Sequence, residues 1–244
     1  MKYQSILSIF ACTCLMITVT TVHMKHIERK NLPTLLTALA EDQSTKNLPT
    51  IIIDPGHGGV DGGASGNGLV EKDINLSISL NLRDLLWIQG FRVIMTREDD
   101  RSLHDEGIIS IAQQKRSDLH HRLALMENHP EAIFISIHQN KFQQPSSKGA
   151  QIFYSQNLPE SKQLAQSLQE SFIKYLQPEN QRQIKGAENN LFLLYEAKIP
   201  AIMAECGFLS NPEEAGKLAS EQYRQEIAFV IYQGLLDYLS ERNR

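Results

Sequence analysis

The chain has 244 residues, 41% hydrophobic and 21% charged, a balance that excludes a disordered, collagenous or polytopic membrane protein. Its net charge is −4, so it carries no basic footprint for nucleic acid. Cys12 and Cys14 fall in the N-terminal apolar run and leave Cys206 alone in the rest of the chain, which excludes a disulfide scaffold there and disfavours a cysteine zinc site.

Ser5 to Val22 is mostly apolar and uncharged, with Lys2 before it and Lys25, Arg29 and Lys30 after it. At about 18 residues it is short for a membrane span and long for a signal-peptide core, and no small-x-small cleavage site closes it. It reads as an export signal or a retained anchor over residues 1–24, and the alternative is a buried helix. Residues 25–48 read as a linker, and residues 49–244 as one folded domain. Thr50 to Ile53 is a β-branched strand ending in the turn signal Asp54-Pro55-Gly56. Residues 71–89 carry apolar positions at helical spacing, with Gly90 as the stop. Strands are expected at 91–95, 132–137, 150–154, 191–194 and 201–204, and helices at 116–128, 160–176 and 221–240. This order predicts an α/β fold: a single, mostly parallel sheet covered by helices.

Polar clusters sit at or just after three of these strands. The first, Asp54-Pro55-Gly56-His57-Gly58-Gly59 followed by Asp61-Gly62-Gly63, lets backbone approach a ligand closely. It fits neither a dinucleotide fingerprint nor a phosphate loop. Taken alone, a histidine in such a loop is more often a surface residue than a ligand. In the second, strand alternation puts Ser136, His138 and Asn140 on one side, either as a site or as a strand running out into solvent. In the third, Glu205 emerges at the end of an apolar strand, where a carboxylate must be solvated, paired or near a metal. Glu71 opens the first long helix, where an acid also complements the helix dipole. Zinc hydrolases use three N/O ligands and leave one position to water, and a further carboxylate handles the proton. Two histidines and two glutamates are sufficient for that chemistry. Spacing alone leaves this reading level with a set of unrelated polar residues. Arg97 and Arg101 read as solvated, His120 and His121 as surface residues, and His104 as a loop residue without a partner.

Three segments in order carry a resemblance: IIIDPGHGGVDGGASGNGLVEKDINLSISLNLRDLL at 51–86, FISIHQN at 134–140 and IPAIMAECGFLSNPEEA at 199–215. They resemble the zinc-dependent N-acetylmuramoyl-L-alanine amidases of bacterial cell walls, over about residues 50–240. The resemblance implies a twisted sheet of about six strands flanked by helices. It also implies Zn2+ held by His57, Glu71 and His138, with Glu205 as the catalytic carboxylate; Asn140 is expected to support the site by hydrogen bonding. The stretches IMTREDDRSLHDEG at 94–107 and KRSDLHHRLALMENHPEAIFISIH at 115–138 are similar to the germination-specific branch found in endospore formers. That branch implies removal of stem peptides from spore-cortex peptidoglycan in the space between the forespore membranes. A muramic acid deacetylase then completes muramic-δ-lactam, and some members of the family need an accessory exported protein. Gln139 and Cys206 depart from the residues common at their positions and flank functional ones. The competing expectations are a vegetative wall amidase, a non-catalytic peptidoglycan-binding regulator and a zinc peptidase.

Overall fold

A computed structural model describes residues 48–242. The expected signal or anchor and nearly all of the linker lie outside the described residues. Among the described residues no helix is long and apolar enough to cross a membrane.

The strands are β1 (Ile51–Pro55), β2 (Ser65–Gly66), β3 (Leu69–Val70), β4 (Val93–Met95), β5 (Ile133–Asn140), β6 (Gln151–Tyr154), β7 (Lys185–Gly186) and β8 (Ala201–Phe208). The helices are α1 (Glu71–Ile88), α2 (Ile111–Glu127), α3 (Pro159–Tyr175), α4 (Phe192–Glu196), α5 (Pro212–Leu218) and α6 (Glu221–Arg242). Six strands form one sheet in the order β4-β1-β5-β8-β6-β7, and β2 and β3 form a separate hairpin. β4, β1, β5 and β8 run parallel, whereas β6 returns antiparallel to β8. This is the expected α/β architecture.

Strand alternation splits the core into two layers. Ile51, Ile53, Ile133, Ile135 and Ile137 pack under α1, α3 and α6 on one face. Ile52, Phe134, Ala201 and Met203 pack with Met126 of α2 and with Leu193 and Leu194 of α4 on the other. The central strands are buried on both faces, which is why they read as runs of isoleucine rather than as alternating patterns.

One expected strand is wrong. Residues 192–194 belong to the short helix α4, with Leu191 as its N-cap, and not to the sheet. A four-residue apolar run does not distinguish strand from helix. Here Leu193 and Leu194 are both buried, and Asn157 Nδ2 donates to the carbonyls of Tyr195 and Ala197, closing the helix end. The second helix also begins earlier than expected, at Ile111. α5 was not anticipated, although Asn211 caps it by accepting from Glu213 and Glu214 N, with Pro212 directly after the cap.

Candidate active site

The parallel strands bring their C-terminal ends together, and three of the expected residues meet there. His57 stands on the loop after β1, Glu71 at the first position of α1 and His138 near the end of β5. Their donor atoms all lie within 4.8 Å of one another. Glu71 Oε1 is 3.2 Å from His57 Nε2 and 2.9 Å from His138 Nδ1. The two imidazole rings meet edge to face, centroids 4.9 Å apart. Glu205 of β8 is the direct cross-strand partner of His138.

The glycines allow this convergence. A Cβ on Gly56 would lie 2.2 Å from the His138 ring. A Cβ on Gly63, which has φ +67°, would lie 2.5 Å from Glu71 Oε2 and 2.6 Å from the His57 ring. His57 itself is held at φ 64°, a strained conformation for a residue with a side chain.

His57 and Glu71 are oriented from behind. His57 Nδ1 is 2.8 Å from Asp61 Oδ2, which leaves Nε2 facing Glu71. Glu71 Oε2 accepts from Ala64 N, and its Oε1 accepts from Gln139 N and from Asn75 Nδ2. Asn75 Nδ2 also donates to Gly56 O, and Asn75 Oδ1 accepts from Gln139 Nε2. Among the described residues it is Asn75 that makes these supporting hydrogen bonds. A bulge between His138 and Asn140 breaks the alternation of β5, and the Asn140 carboxamide accepts only from Lys141 N.

Two buried arginines hold the backbone of the β1 loop. Arg97, expected to be solvated, is 1% exposed and donates to the carbonyls of Pro55, Gly56, Lys72 and Asp99. Arg122 pairs with Asp54 and Asp118 and donates to Pro55 O and His57 O. The two guanidiniums together satisfy three successive carbonyls of this loop, those of Pro55, Gly56 and His57. Nothing local in the sequence marks these contacts, because 25 to 68 residues separate the partners of all but the Asp99 and Asp118 bonds. Arg101 is exposed and pairs with Asp99. His120 and His121 are exposed, and His121 pairs with Asp105. His104 has a partner after all, with Nδ1 2.8 Å from Ser102 Oγ.

The electrostatics set the two glutamates apart. Burial would raise the Glu71 pKa, but the flanking imidazoles outweigh it and hold the carboxyl well below the usual range. Burial would lower His57, but Asp61 and Glu71 outweigh it and raise it to about 9. Two nitrogens and one carboxylate converging this closely suit a divalent metal. Glu205 is different. Its Oε2 is shielded from solvent and has no hydrogen-bond partner among the described residues. Burial pushes its pKa up to about 7, with His138 opposing and Glu71 adding to the rise. A carboxyl poised there exchanges a proton at neutral pH. Cys206 points to the opposite, helix-covered layer, where burial pushes the thiol up and leaves it unreactive.

Residues 51–237 match the profile of the N-acetylmuramoyl-L-alanine amidases. The chain belongs to this family. It is 40% identical over 193 residues to the germination-specific N-acetylmuramoyl-L-alanine amidase of Bacillus subtilis, covering 79% of this chain and 80% of that protein. The structure of the CwlD amidase from Clostridioides difficile in complex with the GerS lipoprotein superposes with a TM-score of 0.76. That match is at 41% identity and covers 79% of this chain and 98% of that one. The amidase LytC of Bacillus subtilis is 30% identical over 191 residues, which is 78% of this chain but only 35% of LytC. The protein is an N-acetylmuramoyl-L-alanine amidase acting on peptidoglycan.

Proposed function

We propose that this amidase is a zinc enzyme of the spore cortex. The observation that carries the zinc reading is the convergence of His57 Nε2, Glu71 and His138 Nδ1 within 4.8 Å, beside a shielded carboxylate that has no partner. Those three residues hold the ion, and Asp61 and Asn75 orient the donors. Zinc, when bound, supplies a Lewis acid that polarises the amide carbonyl and acidifies a water. Glu205 takes the proton from the attacking water and delivers it to the nitrogen of L-alanine as the amide bond breaks. Freed of hydrogen bonds, its Oε2 keeps a lone pair for that proton. Arg97 and Arg122 act before chemistry begins, fixing the loop that carries His57 so that no reorganisation is required during the reaction.

The cortex assignment draws on likeness to germination-specific relatives. The chain then acts outside the cytoplasmic membrane, between the forespore membranes, with residues 1–24 as signal or anchor, 25–48 as linker and 49–244 as catalytic domain. A muramic acid deacetylase acts on its product. Because a similar amidase was solved with a lipoprotein, an exported lipoprotein is the expected accessory partner. The test is product analysis on purified peptidoglycan with metal content measured in parallel. The reading requires new L-alanine amino termini and peptide-free muramic acid, lost on chelation and restored by zinc. In a spore former lacking the gene, cortex containing normal muramic-δ-lactam overturns the cortex role.

A further inference from the structure

We propose that Arg182 is a substrate-binding residue that receives a carboxylate on the peptide, two to three residues beyond the scissile amide. This rests on the reading of Glu205 as the catalytic carboxylate. Gln151 of β6 stands directly opposite Glu205 in the antiparallel β6–β8 pair. Opposite residues share a face of the sheet, so Gln151 borders the reaction centre on the side away from His138. Its Oε1 accepts from Arg182 Nη1 at 3.1 Å.

The guanidinium is held still and makes no direct ion pair among the described residues; burial raises the Glu214 pKa, and Arg182 is among the groups that oppose the rise through space. Arg182 Nε donates to Lys148 O at 2.8 Å, and the guanidinium carbon stacks 4.5 Å from the Phe208 ring centre. Phe208 in turn meets the half-exposed Phe142 edge to face, with centroids 5.1 Å apart. Both hydrogen-bond acceptors are neutral. Among the described residues no carboxylate pairs with Arg182, and its Nη2 makes no hydrogen bond. Glu214, which lines the same cavity, is committed to Gly149 N and Phe208 N. An arginine fixed by a stack and two hydrogen bonds, with one nitrogen free, is preorganised for a carboxylate.

The surroundings fit a peptide. Arg182 forms part of the wall of a cavity of about 650 Å³ whose charged lining is mixed, with Lys148 and Lys217 beside Glu179, Glu213 and Glu214. Opposite Cα atoms on paired strands are roughly 5 Å apart, and an extended peptide advances about 3.3 Å per residue. Allowing for the length of the Gln151 side chain, a stem peptide leaving the scissile bond extended reaches the guanidinium within about two to three residues. The ligand class is therefore an acidic peptide, and the contact selects which stem peptides are removed.

The experiment uses two N-acetylmuramoyl-tripeptides, one with its peptide carboxyls free and one with them converted to primary amides. The zinc-loaded wild type should prefer the free acid by about 10–100-fold in kcat/KM, the factor that a charge-assisted hydrogen bond supplies. Arg182→Met should remove that preference through KM on the acid while zinc content and kcat/KM on the amide form stay close to wild type, whatever small stability the lost stack and hydrogen bonds cost. Arg182→Lys should recover part of it. Equal losses on both substrates, or a wild type with no preference, overturn the proposal while the amidase reading stands. A zinc-loaded wild type that cleaves neither substrate contradicts the amidase reading and the proposal together.

Discussion

Arg122 offers a sharp test of how the loop carrying His57 is held. Arg122 is 2% exposed and Asp54 1% exposed, and the two form an ion pair that also engages Ser136, Thr96 and Asp118. Arg122→Met fills much of the same volume but removes the cation. Asp54 is then left buried with only two hydroxyls, and His57 O loses its donor. Removing one partner of a buried pair costs about 3–5 kcal/mol. For a domain of this size the melting temperature should fall by on the order of 10 °C. The effect should also depend on pH. In the wild type, burial raises the Asp54 pKa, but Arg122 and the hydroxyls outweigh it and hold it below its ordinary value of 3.8. Its contribution is therefore complete above that value and is lost only as pH falls through the lowered pKa. In Arg122→Met burial acts unopposed by the guanidinium, so Asp54 binds its proton more readily folded than unfolded, and acid relieves the variant. Thermal unfolding of both proteins from pH 7 to pH 4 should show the gap narrowing as pH falls. A loss under about 1 kcal/mol at pH 7, or a gap independent of pH, refutes the reasoning.

Gly56→Ala should drive a methyl into the His138 ring, lowering zinc affinity and costing about 1–3 kcal/mol of stability; isothermal titration and unfolding check both. Asp61→Ala and Asn75→Ala should each weaken zinc binding by about 10–100-fold, whereas Asn140→Ala should leave it close to wild type; competition with a chelator orders the three. The full-length chain should partition with membranes, whereas the chain begun at residue 48 should remain in the soluble fraction after high-speed centrifugation.

The elements with a strong repeat were legible in the sequence. Residues 71–89 show the helical period plainly, and the short runs at 51–53 and 133–137 read as buried strands because they are rich in β-branched isoleucine. His57, Glu71, His138 and Glu205 stood out because polar groups at the ends of apolar strands are conspicuous, and glycines at Gly56 and Gly63 signalled close approach. The supporting residues were less visible. Asp61 lay in the same loop as His57, four residues on, and its spacing was the one local signal available. Asn75 lies on α1 one turn after Glu71, but an asparagine inside a helix reads as a surface residue until Gly56 O and Gln139 are known to face it. Arg97 and Arg122 read as ordinary charges because their acceptors are backbone carbonyls and distant acids, which only the tertiary fold brings near. Asn140 was placed on the His138 face by carrying alternation through what the structure shows to be a bulge. The two-residue strand β7 is too short to carry any period.

The central claim is that the two glutamates do different work: Glu71 holds the metal and Glu205 moves the proton. Zinc stoichiometry and amide turnover, measured side by side on Glu71→Ala and Glu205→Gln, test it most directly. Glu71→Ala should lose zinc and, with it, activity. Glu205→Gln keeps the size and hydrogen-bonding capacity of the side chain, so it should retain stoichiometric zinc while turnover falls by about 10²–10⁴-fold. A Glu205→Gln variant that loses zinc, together with a Glu71→Ala variant that keeps both zinc and turnover, would contradict the account.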